Sequence, residues 1–400
     1  MNILYLGSFF PESRKEEILL NSIGVVQNAG DTYQKAILKG LSHYYNSYEI
    51  ITSPMLGSYP FRYKKVFFKG GLFKHNNISN CICTSFVNLS LYKILSRYHY
   101  VKKKLINWAK QNPGDKYVIV FSLDLSLIRA IYEVKNRYHN MKICLIVTDL
   151  FKFMVVPDNI LSKSIMRYFE KKSFKYIEKV DSFVLLTKYM KDNLKVGERP
   201  YTIIEGIYNS TAINVNYEKE SYKTILYSGT LAKQYGIMHL LDAFSKIEKQ
   251  NYRLWICGEG NSKEEIIKRA KTDFRITYMG QLKREEVLAL QKKATVLINP
   301  RLSDSEFTLF SFPSKTMEYL ASGTPAIMHP LKCLPEEYLN YLFISSDETD
   351  SGLMKTIIDV CERKQEELMA FGQRAANFIL TDKSSFVQVG KIVELLNYEK

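Results

Sequence analysis

Four turns in the second half of this 400-residue chain carry the residue types that hold a phosphate. In Ser228-Gly229-Thr230-Leu231-Ala232-Lys233 the glycine lets the backbone turn, the hydroxyl and amides can bond phosphate oxygens, and Lys233 can neutralise charge. Gly258-Glu259-Gly260 and Gly280-Gln281-Leu282 repeat the glycine turn after the next two β-branched runs. The fourth, Asn299-Pro300-Arg301, leads through a polar loop to Phe312-Pro313-Ser314-Lys315-Thr316-Met317-Glu318-Tyr319. Pro313-Ser314 reads as a helix start with Ser314 as its cap, leaving amide N–H groups free for an anion. Lys315 adds positive charge there. Glu318, one turn further, can grip ribose hydroxyls while a phosphate sits at the helix end. Ser314 and Glu318 also suit an ordinary surface helix, with Glu318 one position too late for a strict capping box. The binding reading gains from register, because doubly wound sheets take ligands at the carboxyl ends of successive strands.

The elements around these turns support that placement. Candidate strands lie at Asn2–Leu6, Glu49–Thr52, Tyr117–Phe121, Lys142–Val147, Ser182–Leu186 and Thr202–Ile204, with helices such as Asp31–Tyr44, Leu125–Tyr138 and Ser162–Ile177 between them. The second half repeats the rhythm: strands at Thr224–Tyr227, Arg253–Cys257, Arg275–Tyr278, Thr295–Ile298 and Pro325–Met328, helices near 236–249, 262–271, 283–293 and 314–322. Strand–helix alternation of this kind predicts parallel sheets covered on both faces. The expected fold is α/β: two doubly wound, Rossmann-like domains facing a central cleft. Glu205–Lys223 has no periodicity and reads as the linker. The expected boundaries are a basic N-terminal domain over 1–205, a domain over 206–380 that carries the phosphate turns, and a C-terminal helix over 381–400.

Composition is ordinary, 46% hydrophobic and 24% charged, which excludes wholesale disorder. The charge is not ordinary. Residues 1–200 hold 31 Lys/Arg against 15 Asp/Glu, whereas residues 201–400 hold 25 against 26. No acid stands between Glu49 and Asp115, a window with eleven Lys/Arg and eleven aromatic residues. No run of 18 apolar residues occurs, and the opening MNILYLGSFFPES lacks a basic leader region and reads as a strand. Six scattered cysteines with no CxxC pair are expected to be reduced core thiols. The absence of HExxH, GxSxG and GxxxxGK[ST] patterns argues against zincins, α/β-hydrolases and P-loop NTPases, and no GxGxxG follows the first strand.

The stretch from Leu226 to Ile327 resembles glycosyltransferase family 4, retaining enzymes of the two-domain GT-B fold that use nucleotide sugars. YSGTLAKQYGIMHLLDAF, ICGEG, YMGQL, NPR and FPSKTMEYLASGTP are similar to that family's landmarks, in order. The likeness is nearest to bacterial members of cell-surface and capsular polysaccharide pathways. TDL at 148–150, VDSFVLLTKYM at 180–190 and IIEGI at 203–207 extend it into the first half. The resemblance implies that Glu318 binds ribose, that Ser314 and Lys315 sit near the diphosphate, and that Leu282 lies beside the base. Gly229, Thr230 and Lys233 would line the phosphate side. It also implies that 1–205 is the acceptor-side domain, 206–380 the nucleotide-sugar-binding domain and 381–400 a helix packing back toward the first domain. The chain departs from the family at several positions. The partner glutamate expected eight residues before Glu318 falls on Phe310, with Glu306 the candidate substitute. Thr230 and Tyr235 replace the usual cations, leaving Lys233 and Arg301 to supply charge, and a first-domain histidine expected near Thr148 is absent. In the front-face mechanism proposed for such enzymes the leaving phosphate accepts the acceptor's proton, so stabilising the departing diphosphate is the protein's main task.

Asp149 ends a strand toward the expected cleft, where it could contact sugar hydroxyls or simply start a turn. Gly7-Ser8 and the Gly24/Gly30 segment are expected on the acceptor side. The basic window interleaves rings and cations from Tyr59 to Lys69, including Arg62, Lys64, Lys65 and Lys69, and continues in Leu91–Trp108 with Lys102, Lys103 and Lys104. This suits peripheral docking on an anionic membrane, where a glycan or lipid-diphosphate-linked acceptor is presented. A core role for many of the rings, with the lysines as a solvated face, is the plainer alternative. A nucleic-acid-binding protein is the rival class, disfavoured by the lack of a recognition signature, and a sugar-nucleotide epimerase is a third reading. The expectation is a cytoplasmic enzyme at the inner membrane face. It would use a UDP- or GDP-linked donor as substrate, with no further cofactor, no metal and no nucleic-acid partner.

Overall fold

The computed structural model describes residues 1–24, 26, 28–76, 78–154, 160–209 and 217–398. It divides into two compact units, Met1–Ile207 with Ser385–Lys400, and Tyr208–Ser384.

The first unit contains β1 (Asn2–Gly7), β2 (Glu49–Thr52), β3 (Phe67–Phe68), β4 (Gly71–His75), β5 (Ile78–Cys83), β6 (Phe86–Val87), β7 (Lys116–Phe121), β8 (Met141–Val147), β9 (Ser182–Leu185) and β10 (Tyr201–Ile203). Eight of them form one sheet in the order β10-β9-β8-β7-β1-β2-β5-β4. Every pairing is parallel except that of edge strand β4 with β5. The β1/β7 neighbourhood is where the strand order reverses, the topological switch of a doubly wound sheet. β3 and β6 form a separate antiparallel pair. β3 to β6 escape detection by periodicity. They are two to six residues long and follow one another without helices in between, inside the basic window.

Helix Ser385–Asn397 lies against helix Asn28–Tyr44, where Phe386 stacks on Tyr44 at 5.1 Å and the Tyr44 hydroxyl donates to the Phe386 carbonyl at 2.9 Å. Val389, Ile392 and Leu396 thereby join the buried core built on Tyr5, Ile37, Leu41 and Ile119. The six cysteines are free and buried.

The second unit contains β11 (Lys223–Ser228), β12 (Tyr252–Cys257), β13 (Ile276–Tyr278), β14 (Val296–Asn299), β15 (Ala326–Met328) and β16 (Phe343–Ile344), ordered β13-β12-β11-β14-β15-β16 and all parallel. Buried Ile225, Leu254, Val296, Ile298 and Ile327 line the sheet, and Ile237, Leu240, Leu241 and Phe244 cover it from helix Ile237–Ser245. Among the described residues no helix is long and apolar enough to cross a membrane.

Candidate functional site

The strand order of the second unit puts β11 beside β14, so the chain leaves the sheet in opposite directions from Ser228 and Asn299. A crevice at such a reversal is the default ligand position of an open α/β sheet. Helix Lys315–Ala321 is fastened to it by Tyr319. The Ser228 N–H donates to the Tyr319 hydroxyl at 2.8 Å, and that hydroxyl donates to the Ser228 carbonyl at 3.0 Å. Burial raises the Tyr319 pKa, so the phenol stays protonated and keeps both roles. Asn299 Nδ2 donates to Thr316 Oγ1 at 3.3 Å, a second tie between strand end and helix.

This latch presents Glu318. Its Oε1 accepts from the Gln291 amide at 2.8 Å and from the Lys315 ammonium at 2.8 Å. Among the described residues no hydrogen bond engages Oε2. Gln291, at the end of helix Arg284–Lys293, is fully buried and also reaches Ser228 Oγ at 3.4 Å. Gln291 and Tyr319 escape sequence reading because their partner Ser228 is 63 and 91 residues away. The only local hint is an uncharged amide in a helix otherwise rich in charge.

The glycine turns interlock. Gly229 N–H donates to Cys257 O at 3.0 Å, Leu231 N–H to Glu259 O at 2.9 Å, and Gly258 N–H to Gly280 O at 2.8 Å. A Cβ at Gly258 would overlap the Gly229 carbonyl oxygen, and one at Gly260 the Leu231 carbonyl. Gly236 closes the short turn Lys233–Tyr235 at φ 78°, where a Cβ would overlap the Pro300 carbonyl. The turns after β11, β12 and β14 are thus in direct backbone contact.

Thr230 and Lys233 are exposed on that rim, and Leu282 is half-buried after Gly280. Glu259 is engaged by Lys263 at 2.9 Å and by the Tyr278 hydroxyl at 3.3 Å, a local surface arrangement. Ser314 departs from the expected cap: it has helical dihedrals and its side chain makes no capping hydrogen bond. The helix opens instead with Thr316 N–H donating to Pro313 O at 2.8 Å. Glu306 lies exposed on the turn Glu306–Leu309, and Phe310 is buried. Arg301 is buried at 4% exposure among neutral partners. Its Nη2 donates to Ser311 Oγ at 2.7 Å, and its guanidinium faces the rings of Phe307 and Tyr235 at 5.1 and 6.0 Å. Its Nε has no hydrogen-bond partner among the described residues, and burial lowers its pKa.

Beneath the Gly236 turn sits a histidine pair. His239 Nδ1 is 2.8 Å from Asp350 Oδ1, and His239 Nε2 is 3.1 Å from His329 Nε2. Asp350 fixes the proton on His239 Nδ1, so His239 Nε2 accepts and His329 Nε2 donates. Burial and the neighbouring His239 push the His329 pKa down to about 4. An unfolded chain binds this proton near pH 6.5, while the native state resists it until about pH 4, so stability falls as pH drops through that window. The expected loss is roughly 3 kcal/mol at most. Urea titrations at pH 7 and pH 4.5 check it: the wild type should lose this increment relative to His329→Gln.

In the first unit Asp149 follows β8 and is exposed, but protein atoms crowd its carboxyl and raise its pKa, opposed by the Thr148 hydroxyl donating at 3.0 Å. The Gly24/Gly30 segment includes residues 25 and 27, which lie outside the described residues. The basic window splits. Tyr63, Phe68, Phe73, Phe86, Tyr98 and Trp108 are core residues, as the plainer alternative holds. Arg97 is buried in an ion pair with Asp124. Lys102 pairs with Glu133 at 2.6 Å and Lys65 with Glu17 at 3.1 Å. Arg62, Lys64, Lys69 and Lys103 are exposed, and Lys104 is half-buried. Among the described residues no cluster of three or more His, Cys, Asp or Glu is set to hold a metal ion.

Residues 210–378, nearly the whole second unit, match the family described as Glycosyl transferases group 1. No curated protein matches in sequence. Solved structures match along the full length. A sucrose-phosphate synthase from Thermosynechococcus elongatus is 12% identical, with a TM-score of 0.64 over 99% of each chain. Anabaena HepE, solved with UDP, is 11% identical, with a TM-score of 0.62 over 99% of this chain and 100% of that one. The lipopolysaccharide outer core galactosyltransferase WaaB is 13% identical, with a TM-score of 0.62 over 99% of each chain. At such identities the likeness establishes the fold, the two-unit α/β architecture of GT-B glycosyltransferases.

Proposed function

We propose, from a chain whose second unit carries the group 1 glycosyl transferase pattern, that the protein is a retaining glycosyltransferase of the family 4 type. It moves a sugar from a nucleotide diphosphate donor to a lipid-linked glycan acceptor at the inner membrane face, in cell-surface polysaccharide synthesis. The observation that carries this reading is Glu318: one carboxylate oxygen is held by Gln291 and Lys315, and the other is left for a pair of ribose hydroxyls.

In this reading the donor lies across the β11/β14 crevice. The diphosphate meets the turn at Gly229–Thr230, Lys233 and Lys315. Arg301, buried with a neutral hydrogen-bond partner in Ser311 and with Asp304 acting on it only electrostatically, supplies further charge from the β14 side. A guanidinium desolvated this way attracts an arriving anion more strongly than one in water. As the anomeric carbon–phosphate oxygen bond breaks, the acceptor hydroxyl oxygen bonds to that carbon, and the departing phosphate takes its proton. No protein nucleophile is needed. Metal independence follows from the lack of an acidic pair at any predicted strand end, and turnover is expected to survive EDTA. Asp149, just past the end of β8, is our candidate for contacting the acceptor's hydroxyls.

A thermal-shift screen against UDP, GDP, ADP and their sugars tests the reading. One nucleotide series should raise the melting temperature, and NMR of the product should show the donor's anomeric configuration. A chain that responds to no nucleotide is not this enzyme.

A further inference from the structure

Part of the basic window belongs to an exposed surface that sequence patterning does not assemble. Helix Glu12–Asn21 is apolar at its exposed end: Leu20 is 66% exposed, and Ile23 just beyond the helix is also in solvent. The loop with Phe61, 81% exposed, is clamped to that end. Ile23 N–H donates to Arg62 O at 3.0 Å, Lys64 N–H donates to Asn21 O at 2.9 Å, and Lys64 Nζ donates to Leu20 O at 2.9 Å. Arg14, on the same helix, donates to Lys69 O and Gly70 O. This brings up the start of β4, whose Leu72 is 80% exposed, and Phe67 of β3. Aliphatic and aromatic side chains from four elements therefore stand in solvent on one side of the first unit. Arg62, Lys64, Lys69 and Lys74 are exposed among them.

We propose that this face docks the first unit onto an anionic lipid bilayer, with Leu20, Ile23, Phe61, Phe67 and Leu72 entering the interface and the cations meeting lipid phosphates. This rests on the membrane-face reading above and gives it its contact residues. Charge selects the occupant. A second copy would set exposed Arg62, Lys64, Lys69 and Lys74 against themselves, like charge on like. Glu12 and Glu17 of the helix are already paired with Lys35, Arg14 and Lys65, and among the helix's described residues only Glu16 adds an exposed acid beside Leu20. A nucleic acid would be served by rings and cations, but Leu20, Ile23 and Leu72 offer a base nothing to stack on. A bilayer satisfies both components, since apolar side chains enter the acyl boundary while Lys and Arg stay at headgroup level. Lys102, paired with Glu133, is not part of this face.

The test is co-sedimentation with vesicles of 30% phosphatidylglycerol in phosphatidylcholine. It compares the full chain with a Phe61→Ser, Leu72→Ser variant, both sites being exposed and outside the core. The variant should partition at least tenfold more weakly at unchanged melting temperature, and Phe61→Trp should give a blue-shifted emission on adding vesicles. Nucleotide-induced thermal shift and turnover on a detergent-soluble acceptor should be unaffected. Equal partitioning of variant and wild type overturns the proposal. So does a variant that loses a wild-type dimer in gel filtration, or one that loses oligonucleotide binding instead. Vesicle binding without any nucleotide response would sink the enzyme reading and leave the docking face standing. Transferase activity without vesicle binding would do the reverse.

Discussion

Glu318→Ala is expected to lower kcat/KM for the nucleotide-sugar donor by ~100-fold or more, with a folded second unit destabilised by no more than about 1–3 kcal/mol through the lost Gln291 contact. Two hydrogen bonds from ribose hydroxyls to a carboxylate are worth about 1.5–3 kcal/mol each, and losing both costs at least ~100-fold. The cost to the fold is limited: Lys315 is a partly exposed partner three residues away, and the one non-local bond lost is that from buried Gln291. Gln291 keeps its contact with Ser228 Oγ. Glu318→Gln keeps an acceptor of the same shape without the charge, so it should fall between wild type and Glu318→Ala. Steady-state kinetics on the three proteins, with the donor varied, checks the order. Wild-type activity in Glu318→Ala would remove the residue from the site.

Gly258→Ala is expected to destabilise the second unit by about 3 kcal/mol or more. Gly258 lies at φ 138°, a region that L side chains rarely adopt, and its missing Cβ is the space that the Gly229 carbonyl occupies. Neither backbone can yield freely, since Gly229 N–H is bonded to Cys257 O and Gly258 N–H to Gly280 O. Overpacking of this kind costs about 1–3 kcal/mol, and the strained dihedral adds about 1–3 kcal/mol. Gly280→Ala is the control: φ is 71°, but nothing lies within 4 Å of the new methyl, so only the backbone preference, about 1–2 kcal/mol, is lost. Urea unfolding of the two variants should separate them by at least ~1 kcal/mol. Equal costs would mean that the turns are not locked together.

Local chemistry by itself determines much of this protein. The 3.6-residue and continuous-apolar periods gave parallel strands and covering helices, because burial on both faces of a sheet leaves that pattern in any segment long enough to repeat it. Glycine turns at successive strand ends marked the crevice, since only glycine allows such close backbone approach. The helix around Glu318 was legible from its proline start and charged first turn, although Ser314 does not cap it. The short strands β3 to β6 were not, because two to six residues hold too few periods to distinguish strand from loop.

Tertiary structure decided what depends on distance along the chain. Ser228, Gln291 and Tyr319 become one latch only when β11, helix Arg284–Lys293 and helix Lys315–Ala321 meet. The His239–His329 pair, 90 residues apart, arises in the same way. The basic window shows the limit most plainly. Its eleven aromatic residues look alike in sequence, yet Tyr63 and Phe68 are core while Phe61 and Phe67 stand in solvent. A ring's type states only that it would gain by burial. Whether the chain's own core supplies that burial, or it is left for a partner surface, depends on which elements pack over it.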